Sequence, residues 1–204
     1  MDIFMAKGQV GVLERLGVCG FCDEIKELTM LKTGIHQPKI KYLTEISAYS
    51  LIAFLTPFFL FQSQFLLGTV VNMMLISGAL YAKGKEMLPL IFLPSVAVLA
   101  KGVLFGPLTI YLLFMLPFIW VANAALVYTI KLTHIKKSKN LATSMAYAGT
   151  LKALALLTSA ALLFSMGIIP VEFLMTFGLM QLVTAITAAA IIFPVHQWRV
   201  KSQK

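Results

Sequence analysis

Charge is what this sequence has least of: of its 204 residues only 12% are Asp, Glu, Lys or Arg, against about 25% in ordinary globular domains. With 59% of the chain hydrophobic, that shortage excludes a water-soluble globular fold and makes this an integral membrane protein. Acidic residues number only 8, and none falls inside a long apolar run, which argues against a proton-coupled pump with a titratable acid in its pathway. No Gly-rich nucleotide loop is encoded, so the chain is not an ATP-driven machine by itself. Two cysteines, Cys19 and Cys22, exclude a framework of several disulfides. The three histidines, His36, His134 and His196, fall at or beyond the ends of the apolar runs, so neither a haem ladder nor a His-Glu-x-x-His metal centre sits within them.

What remains is a succession of apolar stretches. The organising one runs from Lys101 to Lys131, KGVLFGPLTIYLLFMLPFIWVANAALVYTIK, with no ionised side chain between its bracketing lysines. Its Pro107, Pro117, Trp120 and Asn123 are residues that a helix exposed only to lipid has little reason to contain. Five more spans are expected: about Ser47–Gln62, Gln64–Ala82, Met87–Ala100, Leu141–Met166 and Phe173–Pro194. Pro89 and Pro94 predict a third helix that is kinked or interrupted. The fifth span is rich in small residues, with Gly149 and Ala153 at the four-residue spacing that permits close helix contact. The fold class expected is therefore all-α, a six-transmembrane-helix bundle.

Of the 17 lysines and arginines, all but Lys101 and Lys152 lie in the termini and alternate connectors, which places both termini in the cytoplasm by the positive-inside rule. This distribution explains the net charge of +9 without nucleic acid as a partner. Three regions follow. Residues 1–46 form a cytoplasmic segment with a short amphipathic helix suited to the membrane surface and no signal peptide. Residues 47–196 form the transmembrane domain, and 197–204 a cytoplasmic tail.

Candidate ligand-binding residues are the polar side chains that the spans bury. Lys152 lies about 15 Å from either end of its span at roughly 1.5 Å per residue, where an ammonium costs at least about 2.5 kcal/mol unless something solvates it. Asn72 and Gln181 lie within spans and serve either ligand atoms or interhelical hydrogen bonds. Lys101, at the outer ends of two spans, either pairs with a ligand anion or snorkels to the surface. Trp120 either stacks on a planar ligand or belongs to the bundle core, and Asn123 reads as structural. Cys19-Gly20-Phe21-Cys22 has the spacing of a redox pair or half a metal site. Its thiols are a metal or iron–sulfur contact, a redox pair, or incidental.

Six spans, cytoplasmic termini, small-residue-rich helices, the turns KGVLFGP and MGIIPVE, and Gly68-x-x-x-Asn72 together give a chain that resembles the S-components, the substrate-binding membrane subunits of energy-coupling-factor transporters. The resemblance covers about Ser47 to Pro194. It implies a small-molecule ligand held between helices near the outer face, and as partners a membrane coupling subunit and two ATPases; it implies no enzymatic activity for the chain alone. Two alternatives stand beside it: a small membrane subunit of a redox or hydrogenase-like complex using the CxxC, and a non-catalytic structural bundle.

Overall fold

The computed structural model describes residues 39–60, 63–82, 87–102 and 106–202. The chain divides into two compact units, Met1–Lys41 and Tyr42–Lys204, and the architecture below is that of the second. The cysteines and the expected amphipathic helix lie outside the described residues.

Every described element is helical. In chain order they are α1 (Lys39–Phe59), α2 (Gln64–Tyr81), α3 (Leu88–Lys101), a 3-10 turn (Gly106–Tyr111), α4 (Leu112–Ile130), a π-helical extension (Lys131–Lys136), α5 (Leu141–Ser165), the short α6 (Glu172–Phe177) and α7 (Leu179–Lys201). Local chemistry sets several ends. Asn140 caps α5, its side-chain oxygen accepting from the Ala142 amide at 3.0 Å. Gly102 ends α3 in the left-handed region, φ 66°, the conformation that glycine adopts without strain.

Four stretches are long and apolar enough to cross a membrane: Gln64–Tyr81, Thr109–Lys136, Leu141–Ser165 and Glu172–Lys201. The expectation of six is thus corrected to four among the described residues. Thr44–Phe59 and Leu88–Lys101 are apolar but shorter. The 14 residues of α3 reach only about 21 Å at 1.5 Å per residue, against a hydrocarbon core of about 30 Å. The expected Met87–Ala100 matches α3 to within one residue at each end, so the count of six admits apolar runs too short to cross. Nor is α3 interrupted: Pro89 sits in its first turn, where a missing N–H costs little, and the helix continues through Pro94. The last helix likewise passes Pro194 and extends to Lys201, and part of the basic stretch after Lys131 is helical rather than looped.

The surface is apolar, as a bilayer requires: Val121, Tyr128, Leu154 and Ile186 are each more than half exposed, while Lys152 is 3% exposed. Two apolar cores stack along the bundle. One gathers Leu75, Ile76, Met87, Leu90, Leu126, Ile130, Met145 and Ile192, at the end with the basic connectors. The other gathers Leu67, Val98, Leu112, Met115, Leu156, Leu163 and Phe173. Among the polar side chains that the helices bury are Asn72 from α2, Ser95 from α3, Asn123 from α4, Lys152 from α5 and Thr184 from α7. The helices meet most extensively as α4 on α5 and as α7 on α2 and α5. Two glycines permit the α7 contacts. A Cβ on Gly68 would stand 3.0 Å from the Thr184 methyl, and one on Gly149 would stand 3.0 Å from Ala185 Cβ.

Candidate functional site

The polar layer begins with Lys152, whose position on α5 turns it inward against α2 and α7. Its Nζ donates to Asn72 Oδ1 at 2.6 Å. Asn72 Nδ2 in turn donates to Thr184 Oγ1 at 3.1 Å, and the Thr184 hydroxyl donates to the Gln181 carbonyl at 3.1 Å. Three helices are thereby tied by one chain of hydrogen bonds. An ammonium has three donors, and Asn72 takes one of them. Among the described residues no carboxylate faces Lys152: the described acids are Glu45, which pairs with Arg199, and Glu172, which is exposed at the start of α6.

A second polar group lies on α3 and α4. Trp120 Nε1 donates to Ser95 Oγ at 2.8 Å, and the Ser95 hydroxyl donates to the Phe92 carbonyl at 2.9 Å. Phe92 meets the Trp120 ring edge-on at 4.9 Å, a favoured aromatic geometry. Asn123 Nδ2 donates to the Ile91 carbonyl at 3.2 Å, in the turn where Pro94 lacks an N–H to continue the helical pattern. Asn123 Oδ1 is buried and accepts no hydrogen bond.

These two groups face a shared cavity of about 90 Å³. Gln64 and Gly68 of α2, Val98 of α3, Leu112 of α4, Leu156 of α5, Phe177 of α6 and Gln181 of α7 form its walls. Ser95, Asn123 and Lys152 supply its polar floor. Because Gln64 and Leu112 are the first residues of their helices, the cavity runs from the helix ends down to the polar layer. It belongs to the half of the bundle away from the basic connectors.

Comparison with protein families, with curated proteins and with solved structures finds no match. The arrangement must therefore be read from its own chemistry.

The structure places the expected residues unequally. Lys152 and Gln181 line the cavity, and Asn72 stands behind Lys152 as its hydrogen-bond acceptor. Trp120 does not line it; the indole is committed to Ser95 and Phe92 in the wall. Lys101 is also elsewhere, its ammonium 5.7 Å from the centre of the Phe58 ring, within cation–π range. Cys19 and Cys22 lie outside the described residues, and among the described residues no cluster of His, Cys, Asp and Glu is arranged to hold a metal. Sequence reasoning missed Ser95 and Thr184, whose hydroxyls gave no signal apart from those of other threonines on the same helices. It also favoured a structural role for Asn123. Asn123 does brace α3, but it lines the cavity too.

Proposed function

We propose that this chain is a membrane-embedded solute-binding subunit of a transporter, energised by partner proteins. The observation that carries the reading is Lys152: an ammonium 3% exposed, at the floor of a cavity of about 90 Å³, with one protein acceptor and no carboxylate among the described residues. An intramembrane lysine costs about 2.5 kcal/mol or more. The Asn72–Thr184 hydrogen bond alone would tie α2 to α7 without that cost. A charge retained at the end of a cavity is accounted for by a solute that occupies it.

The chain encodes no nucleotide-binding loop and no acid within its apolar runs, so directed transport would take its energy from elsewhere. A membrane coupling subunit with ATPases, as in the S-component systems that the sequence resembles, would supply it. That resemblance was drawn on six spans, and the reading here rests on the cavity instead.

The test is native mass spectrometry of the full chain, extracted gently and scored at once for small molecules, metals and partner chains. A small molecule released on denaturation, and absent from Lys152→Met, is the expected result. Recovery of the folded chain with neither solute nor coupling partner would leave a structural bundle and overturn the reading.

A further inference from the structure

We infer that the solute is a small monocarboxylate, its single negative charge set on Lys152 Nζ and its hydrocarbon body lying along the apolar wall. This rests on the solute-binding reading above and narrows it to a chemical class.

Charge comes first. Among the described residues that line the cavity Lys152 is the one cation, so a solute with one negative charge neutralises it. A phosphate ester carries closer to two charges and is ordinarily held by several donors, often a forked arginine; no arginine is among the described lining residues. The walls come next. Beside the polar Gln64, Thr176 and Gln181, the side chains of Leu67, Val98, Leu112, Leu156 and Phe177 offer contact to carbon and no hydrogen bonds, which suits the aliphatic part of an organic acid better than an inorganic anion that is hydrated on every side. Size follows from the volume. At about 90 Å³ the cavity is smaller than the roughly 150 Å³ apolar cavity that takes one benzene ring, which suits an acid of about four carbons.

Carboxylates of this kind reach a membrane protein from two sources, the water-soluble pool and the fatty acids of the bilayer. The palmitate and 2-hydroxybutyrate arms of the experiment tell them apart.

The experiment uses the full purified chain in lipid nanodiscs and equilibrium dialysis with labelled 2-hydroxybutyrate. Saturable binding is expected, at least tenfold weaker for 2-hydroxybutyramide, which keeps the shape and loses the charge, and at least tenfold weaker in Lys152→Met. Gln64→Trp, at the half-buried start of α2 where the cavity meets the helix ends, blocks its mouth and leaves the Lys152–Asn72–Thr184 chain in place. It is expected to abolish binding with the unfolding transition unchanged, and it decides the matter if Lys152→Met does not fold. Equal binding of acid and amide would overturn the monocarboxylate and leave solute binding standing, as would a co-purified small molecule that is not an acid. Binding of palmitate without 2-hydroxybutyrate would overturn the small solute in favour of lipid. No binding of any probe, with no small molecule released from the native protein, would overturn both readings.

Discussion

Removing Asn72 should be far more damaging than removing the charge it holds. In Asn72→Leu the Lys152 ammonium keeps its burial and loses its 2.6 Å acceptor; a buried group left unsatisfied costs about 1–3 kcal/mol, and a charged one more. In Lys152→Met the unpaired group is instead the neutral Asn72 Oδ1, worth about 1–3 kcal/mol. Loss of an insertion penalty of at least about 2.5 kcal/mol offsets that, so the variant should lie within about 1 kcal/mol of the parent. The double variant removes both problems and should recover most of the Asn72→Leu loss, giving a coupling of more than about 2 kcal/mol in the cycle. The assay is reversible denaturant unfolding in mixed micelles followed by tryptophan emission. Trp120, bonded to Ser95 in the polar layer, reports the site, and Trp198, 72% exposed, supplies a steady background. If Asn72→Leu cost less than about 1 kcal/mol without a bound solute, the ammonium would be solvated by something other than Asn72, and the reasoning about its unmet donors would fail.

Other consequences are simpler to read. Gly68→Val should loosen the α2–α7 contact, because even a Cβ there stands 3.0 Å from Thr184; a stability loss of about 1–3 kcal/mol, typical of overpacking, is expected in the same unfolding assay. Arg199→Gln removes both the bidentate contact to Glu45 at 2.8 and 2.9 Å and the guanidinium stacked 4.1 Å from the Tyr81 ring. About 1 kcal/mol should be lost, and unchanged stability would show the cluster to be decorative. In a Cys19→Ser, Cys22→Ser background, Leu154→Cys should resist a membrane-impermeant thiol reagent although Leu154 is 54% exposed. Ready labelling in intact vesicles would refute the placement of α5 in the bilayer.

Particular residues show how far sequence reading reaches. Lys152 and Asn72 were legible because an ionised or amide side chain in the middle of an apolar run has few inexpensive places to go. Ser95 and Thr184 were not, because hydroxyls in apolar helices routinely return to a carbonyl three or four residues back. Thr56, Thr69 and Thr187 do so with Ile52, Phe65 and Val183, and nothing local separates them from the pair that builds the polar layer. Lys101 was legible only in part: adjacency to two helix ends fixes a level in the membrane but not a direction, and its ammonium turns to Phe58. The span count failed on length: the absence of charge marks apolar sequence, whereas crossing a bilayer depends on how many of those residues are helical. Proline misled twice over, since a helix whose neighbours offer polar groups can pass through it, as α3 does beside Asn123.

The hydrogen bonds from Lys152 to the Gln181 carbonyl all point one way. Lysine can only donate, and the Thr184 hydroxyl spends its single proton on Gln181, so the amide of Asn72 has one permitted orientation, oxygen toward α5 and nitrogen toward α7. Charge reversal at residue 152 would therefore be no local change. A glutamate there would meet the amide oxygen, force the amide to turn over, and require Thr184 to donate to it and abandon the α7 backbone. The polarity of the site is written across three helices, and the bundle accepts it in one sense only.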